Sequence, residues 1–176
     1  INKHDNLKEI ISKLCQWKVI SILNKNIQVN NKFSRGLHWH KKLNGNYILY
    51  LLKESDNLDI TCQRFFINSK EKKILKDYLH ISNKFKTNKE EYLYFSPSNW
   101  TEFIETNNLD EETVKLIICD GGLFWKPFFK WLFIYRFIKS NKSGGLLKSE
   151  GWKPGKEMGN EIKRLRYIEI DKTSRN

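Results

Sequence analysis

The chain contains no alanine, the residue that costs least to place in a helix. Cysteine is scarce too: Cys15, Cys62 and Cys119 are odd in number and far apart. That spacing excludes a disulfide scaffold and points to a reducing, cytoplasmic compartment. Ligands for zinc are missing. His38 and His40 stand two apart, on different sides of any helix, with no cysteine near in sequence, and read as structural or surface histidines. There is no G-x-x-x-x-G-K-S/T loop and no G-x-G-x-x-G after a strand, which removes the common phosphate-cradling motifs. Metal-assisted phosphoryl or nucleotidyl transfer needs closely set carboxylates. The nearest pairs, Asp56 with Asp59 and Glu169 with Asp171, read as caps or surface acids. No active site, metal or cofactor is therefore expected in this chain. Long apolar runs are absent as well. The most apolar segment, LFWKPFFKWLFIYRFI at 123–138, is too short to span a membrane and carries Lys126, Lys130 and Arg136. No charged-then-apolar leader opens the chain, and no membrane partner is expected. It begins with Ile1 and its one methionine is Met158, so it is expected to be a piece of a longer or trimmed protein.

Hydrophobic residues make up 39% and aromatics 14%, too much for a disordered chain. The formal net charge is +12, and an excess of that sign points first to nucleic acid as partner. Lysine also keeps company with abundant asparagine and isoleucine, so an AT-rich codon supply is the competing explanation. Where the cations cluster then matters more than their number.

Periodicity and caps predict an all-α fold, a multi-helix array of about nine or ten short helices with a helical body and a C-terminal tail. Residues 6–24, 33–43, 57–66 and a stretch opened by the capping box Asn68 to Glu71 read as amphipathic helices. Tyr47 to Leu52 is an unbroken apolar run, strand or helix by pattern, and its neighbours favour helix. Residues 82–92 are Lys-rich and polar and read as a hinge. It divides a body at 1–84 from a tail at 93–176. In the tail, Ser96-Pro97 starts one helix, Asp110 the next, and Gly121-Gly122 ends it. The aromatic segment 123–138 is expected to be the central buried helix of this half, with Lys126 and Lys130 on an exposed edge.

The closing stretch, LLKSEGWKPGKEMGNEIKRLRYIEID at 146–171, holds the candidate site. Pro154-Gly155 makes a turn into a helix whose apolar stripe is Met158, Ile162, Leu165 and Ile168. Lys153, Lys156, Lys163, Arg164 and Arg166 lie beside it. Free backbone N–H groups at a helix start, surrounded by cations, can seat a phosphate. The alternative is a helical hairpin that closes the fold and presents a solvated basic face.

The run FSPSNWTEFIE, then LDEETVKLIICDGG, the aromatic helix and finally this stretch resembles the C-terminal region of bacterial tRNA nucleotidyltransferases, the CCA-adding enzymes and related poly(A) polymerases. Gly151-Trp152-Lys153-Pro154-Gly155-Lys156-Glu157-Met158-Gly159 is similar to that family's G-x-x-P-G-x-x-(apolar)-G element, and FINSKEKKILKDYLHI at 66–81 to a helix of its body. The likeness covers most of 33–171 and is strongest after residue 95. It implies body and tail without the catalytic head, whose carboxylates, Mg and ATP or CTP would lie in the same longer protein or in a partner chain. It also implies that this part grips tRNA by shape and phosphate contacts. The RNA-binding candidates are then Lys126, Lys130, Lys153, Gly155, Lys156, Lys163, Arg164 and Arg166, with no catalytic residue. The rival expectation is a helical scaffold that binds a partner protein and owes its charge to codon bias; an independent enzyme ranks below both.

Overall fold

A computed structural model describes residues 31–174 apart from 54 and 56; the helix expected at 6–24 lies outside the described residues. The described chain is all-α, with no strand. Its helices are α1 (Asn31–Lys42), α2 (Tyr47–Leu52), α3 (Leu58–Arg64), α4 (Ser69–Thr87), α5 (Lys89–Tyr92), α6 (Pro97–Thr106), α7 (Glu111–Asp120), α8 (Trp125–Phe133), α9 (Gly144–Ser149) and α10 (Lys156–Thr173). A short 3-10 helix, Tyr135–Phe137, follows α8.

Side-chain caps start six of them. Asn46, Asn57, Asn68, Ser96, Asp110 and Ser143 each accept a hydrogen bond from a first-turn N–H. Each is worth about 1 kcal/mol, so part of the asparagine-rich composition serves helix starts. Asn68 and Glu71 close the expected capping box, and Gly121, at φ 64°, ends α7 in the left-handed conformation.

The expected hinge at 82–92 is helical over most of its length. α4 runs to Thr87 because its inward stripe, Ile74, Tyr78 and Ile81, continues into Phe85. The Phe85 ring meets Phe124 and Phe128 edge-on, at 5.0 and 5.7 Å. Lys84 and Lys86, which suggested a linker, lie off that stripe on the same helix.

The chain also divides differently from the expected 1–84 and 93–176. Among the described residues, one compact unit takes those up to Lys89 together with Leu109–Phe128; the other takes Glu90–Asn108 and those from Phe129 onward. The physical cause is α7. Thr113, Val114 and Leu116 to Cys119 are all buried, so this helix has apolar surface on most sides, and it packs on α1 and α4. Thr113 donates to the Ile74 carbonyl at 3.5 Å. Cys62 and Cys119 are buried free thiols. Burial, with Glu112 adding to it, pushes the Cys119 thiol up to about 12, so it stays protonated.

α1 approaches α7 closely because it carries Gly36. A Cβ there would overlap the Tyr50 hydroxyl and stand 2.5 Å from the Cys119 carbonyl oxygen, a backbone atom that cannot swing aside. Gly36→Ala is therefore expected to lower stability by about 2 kcal/mol, although alanine is the better helix former. Gly159→Ala in α10, where a Cβ meets nothing within 4 Å, is expected to raise it by about 0.5–1 kcal/mol. Urea melts of the two variants check the contrast; equal effects would show that α1 and α7 are not in close contact.

In the second unit α6 and α9 both pack on α10. Tyr92, Phe95, Trp100 and Phe103 form a ring cluster with centroids 5.1–6.4 Å apart. Asp171 of α10 accepts from Ser98 N–H at 2.9 Å and Ser98 Oγ at 2.8 Å, so it reinforces the start of α6.

The aromatic segment is not one core helix. α8 stops at Phe133, and the segment buries a single line, Phe124, Phe128, Leu132 and Tyr135, while Leu123, Phe133, Ile134 and Phe137 are exposed. One helix face cannot hold sixteen mostly apolar residues, and the boundary between the units falls at Phe128.

Candidate nucleic-acid interface

The candidate site lies in the second unit, where α9 gives way to α10. Gly151, at φ 94°, turns the chain out of α9, with Gly151 N–H on the Lys148 carbonyl and Trp152 N–H on that of Leu147. Pro154 does not occupy a first helical position; Gly155 is the cap. Its φ of 157° and ψ of −168° belong to a region where glycine alone is at home. A Cβ there would meet nothing, so this backbone faces open solvent. The N-terminus of α10 has no side-chain cap, which leaves its first-turn N–H groups pointing outward. Residues 151–157 are all exposed. Lys153 and Lys156 sit on this turn and have no acidic partner among the described residues. Glu157, also in the first turn, is the one acid beside them.

Further along α10, Lys163 follows Lys156 by two turns, about 10 Å. Its ammonium lies 3.2 Å from Glu102 Oε1 and 5.3 Å from the Tyr167 ring centre. Hydrogen bonding to the Tyr167 side chain first, then to Glu102, raises its pKa. Arg164 donates from Nε and Nη2 to the two carboxylate oxygens of Glu161, both at 2.7 Å. Exposed pairs of this kind are worth only about 0–1 kcal/mol, so a phosphate can displace them cheaply.

Arg166 stands apart. It is 20% exposed, and its Nη1 meets both oxygens of Glu105 at 2.8 and 3.0 Å. Nε donates to the Ile138 carbonyl at 2.8 Å and Nη2 to that of Tyr135 at 3.3 Å. Its head is spent on holding the second unit together. The inward side of α10 adds Arg166 and fully buried Ile170 to half-buried Met158, Ile162 and Leu165, while Ile168 of the expected stripe is 37% exposed. The periodic reading missed Arg166 and Ile170 because the first of them is charged. Met158 and Ile162 lie beneath Gly144 of α9.

Lys126 and Lys130 are exposed, one turn apart on α8, and without acidic partners among the described residues. Lys126 belongs to the first unit and Lys130 to the second, so the turn, Lys130, Lys163 and Arg164 are the candidates one unit carries. Three further lysines, Lys32, Lys86 and Lys89, line a cleft in the first unit. Sequence reasoning assigned the last two to a linker; the signal that could have found them was the apolar spacing from Ile74 to Phe85.

Among the described residues no group of three or more His, Cys, Asp or Glu could hold a metal ion, and no helix is long and apolar enough to cross a membrane. No protein-family model, curated protein or solved structure matches the chain.

Proposed function

We propose that this chain is an RNA-gripping helical module: the tRNA-holding body and tail of a tRNA nucleotidyltransferase of CCA-adding or poly(A) polymerase type. Its catalytic head, with the Mg and the ATP or CTP, lies in the same longer protein or a partner chain. The observation that carries this reading is the exposed turn at 151–156, with an uncapped helix start, a backbone bare of Cβ at Gly155, and two lysines lacking acidic partners. One RNA phosphate sits at the helix start between Lys153 and Lys156, and Lys163 and Arg164 exchange their weak carboxylate pairs for further phosphates. Such a grip reads backbone and shape, not base sequence.

Salt titration of tRNA binding tests it. Lys156→Ala is expected to weaken binding equally for RNAs of different sequence and to reduce the salt slope by roughly 0.7–0.9. Gly155→Glu is expected to do more, about tenfold at moderate salt, because it sets an anion and a side chain where the phosphate must approach. Circular dichroism of both variants is the control for folding. Unchanged affinity and slope in both would return the turn to a purely structural role.

A second reading, a scaffold for a partner protein, is favoured by Phe133, Ile134 and Phe137. These are 50%, 43% and 63% exposed within five residues of the second unit. On that reading tRNA binding disappears at physiological salt, and Phe137→Ser abolishes the partner interaction instead.

A further inference from the structure

The first unit holds a cleft of about 240 Å³ that the proposed grip does not use. Its volume lies just under the range of roughly 300–1,000 Å³ usual for small-molecule sites, so it suits one small ligand. Its walls combine three chemistries. Lys32 of α1, Lys86 of α4 and Lys89 of α5 supply positive charge, and none has an acidic partner among the described residues. Phe85 and Trp125 supply ring surface. Phe85 is held by its edge contacts to Phe124 and Phe128, and Trp125 is 37% exposed. Asp120 supplies a carboxylate at the end of α7.

The charge balance decides what fits. Asp120 is the one acid of the wall, and its Oδ1 is already matched by Lys53 Nζ at 2.7 Å. The three wall lysines therefore face the cleft with no net opposition, and an anion is favoured. Asp120 Oδ2 has no partner among the described residues and remains free to accept from an N–H or hydroxyl. Anion, flat ring and hydrogen-bond donor in one small ligand describe a nucleotide. We propose that this cleft binds a nucleoside monophosphate: its base against Trp125 and Phe85, its phosphate on Lys32, Lys86 and Lys89, and a sugar hydroxyl or base N–H on Asp120. The same chemistry is offered by a free mononucleotide and by one residue of single-stranded RNA. No transfer step is involved, and the site does not rest on the grip proposed for the second unit.

Calorimetric titration of the full chain tests this with four probes: AMP, single-stranded tetra-adenylate RNA, inorganic phosphate and adenosine. AMP or the tetranucleotide is expected to bind, and phosphate and adenosine each at least about tenfold more weakly, since each lacks half of the recognition. Lys86→Ala/Lys89→Ala is expected to weaken binding by about tenfold or more. Trp125→Ala should weaken it by about five- to a hundredfold through lost stacking, whereas Trp125→Phe should restore most of it. Lys156→Ala should leave it unchanged, which separates this site from the turn at 151–156. Tighter binding of the tetranucleotide identifies an RNA strand as the source, and equal or tighter binding of AMP a free nucleotide. Phosphate binding as well as AMP, equal binding by the lysine and Trp125→Ala variants once circular dichroism shows them folded, or no binding of any probe at millimolar concentration would each overturn the proposal.

Discussion

Asp120→Ala is expected to lower the stability of the protein by about 3 kcal/mol, and Lys53→Met to cost less than about 1 kcal/mol. Lys53 is 4% exposed. Its ammonium touches Asp120 Oδ1 at 2.7 Å and the Tyr78 hydroxyl at 3.2 Å, and lies 5.1 and 5.2 Å from the ring centres of Tyr50 and Tyr78. Burial raises the pKa of both tyrosines, so neither supplies a negative charge near neutral pH. Asp120 is the carboxylate that meets the Lys53 ammonium, at 2.7 Å. Removing it takes from a buried cation a carboxylate at 2.7 Å, which neighbouring rings and a hydroxyl do not replace. Removing the lysine instead leaves a carboxylate that is 29% exposed and that water can solvate, and methionine fills the vacated space. Urea melts of the two single variants and the double variant measure the coupling. Asp120→Ala should cost little once Lys53 is methionine; an equal cost in both backgrounds would mean that Asp120 does not serve Lys53.

Phe128→Ala carries the other large expected effect, about 3–5 kcal/mol. Phe128 is wholly inaccessible to solvent and its ring lies edge-on to Phe85 at 5.7 Å. Truncation leaves a cavity whose lining, the Phe85 ring included, loses its packing partner. Phe133→Ala, five residues on but 50% exposed, should cost under about 1 kcal/mol. The pair, followed by thermal melts, checks that α8 buries one face only. Similar losses at both positions would show that the aromatic segment is covered on all sides.

The features that sequence made plain are those decided within one turn of chain. Asn68 with Glu71, Ser96 with Pro97, Asp110 and Gly121 each act on neighbouring backbone, so their chemistry can be read without knowing what lies across the fold. The open turn at Gly155 was legible for the same reason, as were Lys153 and Lys156 beside it. What escaped depends on distant partners. Nothing beside Lys53 announces that it is buried, because its carboxylate is Asp120. Arg166 reads as one more surface cation until Glu105 and the carbonyls of Tyr135 and Ile138 are brought to it. Gly36 reads as a weak spot in a helix until α7 is placed against it. Local composition misled where the lysines of 82–92 concealed the last turns of α4 and where the aromatic run at 123–138 suggested one buried helix.

The interleaving of the two units bears on how the chain is made. Synthesis runs from the N-terminus, and a unit can close only when its last segment has left the ribosome. The first unit lacks α7 until residues 109–128 have emerged, so α1 and α4 spend that interval with their shared apolar faces uncovered. The second unit begins at Glu90, before the first is complete, and must wait for α10, whose Asp171 reinforces a helix begun 73 residues earlier. Each unit thus stays open while part of the other is being made. The stage at which this protein most needs a chaperone is consequently the one at which α4 has emerged from the ribosome and residues 109–128 have not.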